Sequence, residues 1–248
     1  MHIHARAIKY FDMIRRSGSI REAARRLHVA SSAVNRQLLQ LEEEIGSPLF
    51  ERMTQGLRLT PAGEVFSRHV ITVLQDEVRL RSDMLFLAQT ENDPRNLRLG
   101  EIDLAELIRG LFDYFEALAE DRNITLYAKG AAEPIRADRE MLLRALNNLL
   151  SNAIRHTPYG SRITVALAQD ERWTTISVEN PGERISEADL PKLFDRFFRV
   201  DPARQRKNAG AGLGLAIVKS IAEAHGGHVQ ATSSDTATKF DLTLPRIA

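Results

Sequence analysis

Two short stretches carry the residues best suited to chemistry. Gly210-Ala211-Gly212-Leu213-Gly214-Leu215 opens an apolar helical run, Ala216-Ile217-Val218-Lys219-Ser220-Ile221. Upstream, Asn148-Leu149-Leu150-Ser151-Asn152-Ala153 lies on another run of helical spacing. A glycine-rich turn at a helix N-terminus offers unpaired backbone N–H groups and a positive dipole end, which suit a polyphosphate. A helix bearing carboxamides can hold the magnesium that accompanies such a group, because Mg²⁺ takes hard oxygen ligands. Either stretch alone is a weak signal. The pair, in this order and with Phe194, Phe197 and Phe198 between them, points to a nucleotide site.

The elements that must position these residues follow from length and pattern. At 248 residues the chain can form two domains. It has no cysteine, which excludes disulfides, thiolate zinc sites and cysteine nucleophiles. No apolar run approaches the roughly 20 residues of a membrane span, and the N-terminus lacks a signal-peptide core, so the expectation is a soluble, cytoplasmic chain with no membrane partner. Residues 1–60 hold ten Lys and Arg against six acids, a basic bias that permits a nucleic-acid surface.

In that basic segment Ile3, Ala7, Ile8, Phe11 and Ile14 have helical spacing over 3–16. Ser17-Gly18-Ser19 ends this helix and caps the next, Ile20 to Leu27, with Ala23, Ala24 and Leu27 inward. After the turn His28-Val29-Ala30, Ser31 or Ser32 is expected to cap a third helix running through Glu44, with Ala33, Val34, Leu38, Leu41 and Ile45 inside. Gly46-Ser47-Pro48 stops it, and Met53 to Leu59 reads as a hairpin wing. Two helices around a short turn, the second presenting polar side chains, form the layout of a helix-turn-helix.

The run SGSIREAARRLHVASSAVNRQLLQLEEEIGSPLFERMTQGLRLTPAGE resembles the winged helix-turn-helix of LysR-type transcriptional regulators, over roughly residues 1–88 with their linker helix. The resemblance implies that Ser31, Ser32, Asn35 and Arg36 face the major groove of duplex DNA, and that Arg52, Gln55 and Arg58 meet phosphate or minor groove. The alternative is a merely solvated helix face. That family usually has Ser and Gln where Ala30 and Ser31 stand, and often Ser at Asn35, so the target sequence is not implied. From Pro61 to about Gln89, Phe66, Val70, Val73, Leu80, Met84 and Leu87 recur at 4-3 spacing, beside a stripe of Ile71, Leu74, Val78, Leu85 and Ala88. By the resemblance this helix makes a homodimer through residues 61–92; packing against its own C-terminal domain is the alternative.

Residues 95–248 read as a strand, helix 103–121, strand 124–129, helix 138–156, strands near 162–169 and 172–179, a loop-rich stretch, helix 213–225, and strands near 228–233 and 239–244. The expected fold class is therefore α+β in two domains: a winged helix-turn-helix (1–60) with a long dimerisation helix (61–92), then an α/β sandwich of mixed sheet and helices (95–248). FEALAEDRNI, LFDRFFRVDPARQRK and GLGLAIVKSIAEAHGG resemble the catalytic ATP-binding domain of sensor histidine kinases, in the group shared with gyrase, Hsp90 and MutL, and the copper/silver-sensing kinases in particular. That likeness begins near Asp83-Met84-Leu85-Phe86, so the chain reads as a fusion joined inside one long helix.

The resemblance implies ATP and Mg²⁺ as cofactors. Asn152 would ligate the metal with Asn148 in support, the pair serving as the catalytic residues. Arg155 and His156 would approach phosphate or ribose, although a helix-end histidine without a ligand role is an equal reading of His156. Asn180 and Gly182 would form the adenine loop. Phe194, Phe197 and Phe198 would pack under a lid bearing Arg204, Arg206 and Lys207, although the phenylalanines by themselves read as core. Gly210, Gly212, Leu213, Gly214 and Leu215 would let backbone approach the phosphates. Most histidine kinases have Asp-x-Gly-x-Gly where this chain has Asn180-Pro181-Gly182-Glu183-Arg184, and Asn accepts only through a neutral carboxamide; the copper/silver-sensing kinases show a similar Glu-Asn-Pro-Gly run, so binding is expected to survive in weaker form. Asn148 stands where the gyrase, Hsp90 and MutL relatives place a general-base Glu, which favours phosphoryl transfer over hydrolysis.

A kinase of this kind needs a phosphoacceptor histidine in a His-Glu/Asp box. None of His2, His4, His28, His69, His156, His225 and His228 heads one. The expectation is ATP·Mg²⁺ binding without autophosphorylation, with transfer only in trans to a separate phosphoacceptor domain. Two other readings stay open at this point: a transcription regulator with a passive nucleotide-binding appendage, and a kinase catalytic fragment dimerised by its N-terminal helices.

Overall fold

The structure is a computed structural model that describes residues 5–54, 56–92, 97–200 and 211–246. It divides into two compact units, Met1–Arg79 and Leu80–Ala248.

The first unit opens with α1 (Ala5–Ser17), α2 (Ile20–Leu27) and α3 (Ser31–Ile45). Ser19 caps α2 by accepting from Glu22 N at 3.5 Å, as its position before the helix predicts. The cap of α3 differs from expectation: Ala30 occupies it with no side-chain hydrogen bond, so neither Ser31 nor Ser32 is used there. Both serines lie inside the first turn, where their hydroxyls stay exposed. Phe11, Ile14, Ala23, Ala24, Val34, Leu38 and Leu41 are buried between the three helices, and the small Ala23 and Ala24 allow close approach. A hairpin wing of β1 (Phe50–Met53) and β2 (Gly56–Leu59) follows, tied back to the α1–α2 turn by Leu57 N donating to Gly18 O at 2.8 Å.

The long helix α4 (Pro61–Asn92) contains the division between the units. In the first unit its Phe66, Val70, Val73 and Leu74 pack on α1, with the Phe66 ring edge-on to Phe11 at 4.9 Å. In the second unit Leu80, Phe86 and Leu87 join the core. Most of the 4-3 stripe is thus consumed within the chain, and Val78, Met84 and Leu85 are left exposed.

The second unit is a five-stranded mixed sheet of order β4-β6-β7-β9-β8. Its strands are β4 (Thr125–Gly130), β6 (Arg162–Gln169), β7 (Trp173–Pro181), β8 (His228–Ser233) and β9 (Ala237–Pro245), with only β4–β6 parallel. Alternate residues Ile163, Val165, Leu167, Ile176, Val178, Phe240, Leu242 and Leu244 point to a core shared with α5 (Leu104–Glu120), α6 (Arg139–His156) and α7 (Gly214–Ala224). The expected first strand, β3 (Leu99–Ile102), pairs not with this sheet but with β5 (Ile135–Asp138), a strand that the sequence pattern does not announce. Asp138 caps α6 with Oδ1, accepting from Glu140 N and Met141 N at 3.1 Å. Its Oδ2 accepts from Arg98 N, so one carboxylate fixes both the start of α6 and the β3 edge. No helix among the described residues is long and apolar enough to cross a membrane.

Candidate nucleotide site and nucleic-acid face

The two stretches singled out by residue type meet at one place. Asn148 is buried on α6, its Nδ2 donating to Arg144 O at 3.0 Å. That bond turns Oδ1 toward the start of α7, where a Cβ on Gly214 would stand 3.0 Å from it. Only glycine leaves this space open. Leu213 precedes α7 and makes no side-chain cap hydrogen bond to the N–H groups of the first turn, which a helix leaves without intrahelical partners. Gly212, at φ +73, lies against Phe197, whose Cα would be 3.0 Å from a Cβ placed there. Phe197 N donates to Gly212 O at 2.9 Å, and Phe197 itself adopts the left-handed region at φ 63 and is 59% exposed. A bulky residue held in that region is strained backbone of the sort that collects at binding sites.

The three phenylalanines therefore part company. Phe194 is buried and edge-on to Phe240 at 6.3 Å, a core residue. Phe198 packs at the core margin, and Phe197 alone faces outward beside the glycine turn. Asn180 ends β7 buried, with Nδ2 donating to Pro181 O at 3.0 Å, which leaves its Oδ1 as the acceptor. Gly182 brings this loop against the end of α6, a Cβ there falling 3.6 Å from His156 O. Asn152, Arg155 and His156 lie on the successive last turns of the same helix, and Leu215 lies on the first turn of α7. Arg204, Arg206, Lys207 and Gly210 lie outside the described residues.

Sequence reasoning misses two arginines here. Arg199 has a buried Nη2 with no hydrogen-bond partner, and its charge reaches His156. Arg122 reaches the same ring from the loop after α5. Partial burial, then the charges of Arg155, Arg122 and Arg199, hold the His156 imidazole below its ordinary range. A surplus of cations with one unsatisfied guanidinium fits a phosphate-bearing ligand. For the metal, no group of three or more His, Asp or Glu placed to hold an ion is found among the described residues, so the carboxamides would share the ion with phosphate oxygens and water, as Mg²⁺ prefers. A groove of about 520 Å³ between α5 and α6, lined by Glu106, Arg109, Asp113, Tyr114 and Asn147, contains none of the expected nucleotide residues.

In the first unit, Ser31, Ser32 and Arg36 are exposed on α3, with Asn35 half-buried among them. Arg52 is exposed on the wing, and Gln55 lies outside the described residues. Arg58 is exposed but pairs with Glu51 at 2.8 Å. Arg25 and Arg26 on α2 both hold Glu22, whose carboxyl is lowered to about 2 by hydrogen bonds from Arg25 and then Arg26. Arg36 and Arg52 thus present the clearer basic positions for phosphate or base.

Comparison with known proteins finds a match within each unit. Residues 137–248 match the family described as histidine kinase-, DNA gyrase B-, and HSP90-like ATPase, and residues 5–64 match the bacterial regulatory helix-turn-helix proteins of the lysR family. Sensor histidine kinase CusS of Escherichia coli (strain K12) is 50% identical over 167 residues, covering 67% of this chain and 35% of CusS. The probable sensor kinase SilS of Salmonella typhimurium is 45% identical over 174 residues, 68% of this chain and 35% of that protein. The chain thus matches about a third of the length of these relatives. Among solved structures, histidine kinase AdeS of Acinetobacter baumannii superposes with a TM-score of 0.66 at 19% identity, over 85% of this chain and 94% of that one. Full-length ShkA in complex with AMPPNP gives 0.67 at 22% identity, over 86% of this chain and 46% of that one. At these identities the structural likeness establishes the fold.

Proposed function

Because residues 5–64 match the lysR-family helix-turn-helix proteins and residues 137–248 the histidine kinase-, gyrase B- and HSP90-like ATPases, we propose that this chain binds duplex DNA as a homodimer and binds ATP·Mg²⁺ for phosphoryl transfer to a histidine supplied in trans. The observation that carries the nucleotide half is the packing of Asn148 on Gly214, which joins the carboxamide helix and the glycine turn into one cradle. The complex of ShkA with AMPPNP supports a nucleotide in the corresponding fold.

In this reading Asn152 would hold the metal with Asn148 in support, the first turn of α7 would receive the phosphates on its N–H groups, and Asn180 Oδ1 would accept from the adenine amino group. A magnesium ion held there would supply charge neutralisation for the phosphoryl group. Arg155, Arg199 and His156 add donors on the α6 side of the phosphates. Asn148 cannot take a proton from water, because a carboxamide is no base at neutral pH. Catalysis then consists of positioning and electrostatic stabilisation, and an incoming imidazole brings its own nucleophilicity.

The DNA half is tested by salt titration of a labelled duplex selected from a random-sequence library for binding to this protein. Affinity should fall steeply with salt, and Arg36→Ala should weaken binding by about 1–3 kcal/mol if it reads a base. A salt-independent affinity that is equal in Arg36→Ala would remove DNA from the proposal. For the dimer, Val78 and Leu85 are the exposed apolar residues seven apart on α4, at 70% and 58%. Val78→Glu with Leu85→Glu should yield a monomer by analytical ultracentrifugation and loosen DNA binding, since each half-site contact then acts alone. A dimer that survives both changes would place the interface elsewhere.

A further inference from the structure

We propose that Arg122, in the loop between α5 and β4, is a positioning residue for the nucleotide site: its guanidinium closes the last turn of α6 and so fixes where Arg155 and His156 stand. The inference rests on the nucleotide reading above and adds to it a residue with no expected contact to nucleotide.

A helix leaves its last four carbonyls without intrahelical donors. At the end of α6, Thr157 takes Ala153 O twice, from its backbone N at 2.9 Å and its buried Oγ1 at 2.7 Å. Arg122 serves the next two. Its Nη1 donates to Ile154 O and, at 3.0 Å, to Arg155 O. Its Nη2 reaches beyond the helix to Thr157 O at 2.9 Å. The backbone of the same loop holds the same segment, with Gly160 N donating to Arg122 O at 3.1 Å and Thr125 N to Ser161 O at 2.9 Å. A planar fork of fixed geometry can span three carbonyls in this way, and a lysine ammonium offers the charge without the fork.

The turn so closed carries the residues that matter. Arg155 and His156 sit in it, and His156 O abuts Gly182 of the adenine loop. If the turn frays, both the cationic edge and the seat of that loop shift together. The charge has a second effect. His156 faces Arg155 on its own helix, Arg122 from the α5–β4 loop and Arg199 from the segment after the 3₁₀ helix Pro191–Phe194, and all three favour the neutral ring. Removing Arg122 should move the imidazole up toward its ordinary value, and Arg122→Lys should leave it low.

The experiment uses the full chain with Arg122→Ala and Arg122→Lys. His156 is followed by NMR titration without nucleotide, and ATP·Mg²⁺ affinity is measured between about pH 5.5 and 8. Arg122→Ala should raise Kd about tenfold and raise the His156 titration midpoint; Arg122→Lys should keep the low midpoint and recover only part of the affinity. Wild-type affinity and midpoint in Arg122→Ala, with only a lower melting temperature, would overturn the proposal and leave Arg122 a plain helix-end contact. A wild-type chain that binds no nucleotide would overturn the nucleotide reading as well, so the two failures are distinct.

Discussion

Gly214→Val should reduce ATP·Mg²⁺ affinity by at least about a hundredfold, roughly 2.7 kcal/mol. Any Cβ at this position stands 3.0 Å from Asn148 Oδ1 and 3.5 Å from its Cγ, and valine adds two methyl groups to it. Asn148 has little freedom to withdraw, because it is buried and its Nδ2 is committed to Arg144 O. The added side chain therefore occupies the space between the carboxamide helix and the phosphate-facing turn. Gly214 has no positive φ, so the substitution brings no backbone strain, and the fold should persist by circular dichroism. DNA affinity should persist with it, because Gly214 belongs to the second unit alone. Asn152→Ala is the companion: it should weaken binding mainly in the presence of magnesium, since it deletes a proposed metal ligand. Equal affinity in Gly214→Val and the wild type, by equilibrium dialysis, would refute the cradle.

The second large effect is all-or-none. Incubated with γ-labelled ATP and Mg²⁺, the chain should remain unlabelled on a denaturing gel, and a separately supplied dimerisation–phosphoacceptor helix pair should take up acid-labile label. An acceptor imidazole needs an exposed ring nitrogen and a neighbouring carboxylate to accept its proton. His225 is buried with both nitrogens engaged: Nε2 accepts from Asp138 N at 3.0 Å, so Nδ1 carries the proton donated to Ile221 O at 2.8 Å. His228 packs edge-on to Trp173, and His28 closes α2 in the left-handed region. His69 is exposed on α4 beside Phe66, but Val70, Ile71 and Thr72 follow it instead of an acid. His2 and His4 lie outside the described residues. A label mapped to His69 would make the chain a self-phosphorylating kinase and contradict this account.

What the sequence made legible was what local chemistry decides. The limits of α2, its Ser19 cap and the wing follow from helical spacing and turn residues. The expected helix 138–156 matches α6 to within one residue, and the meeting of the Asn and Gly stretches follows from residue type. The rest depends on partners distant in the chain. β5 is four residues long and exists because β3 pairs with it across more than thirty intervening positions. Ala30 rather than a serine caps α3, because the turn after α2 places the backbone one residue earlier than the hydroxyl pattern implies. Phe194, Phe197 and Phe198 look alike in the chain, and only the fold separates the buried Phe194 from the exposed Phe197 that lies against Gly212. Arg122 carries no motif; its role appears only when β4 brings its loop beside the end of α6.

The most direct measurement is isothermal titration of the intact chain with ATP, once with Mg²⁺ and once with excess EDTA. One nucleotide per protomer, bound more tightly with Mg²⁺, is the predicted result. No binding in either condition by chain that still binds duplex DNA would contradict the central claim and leave the second unit a kinase fold without its nucleotide.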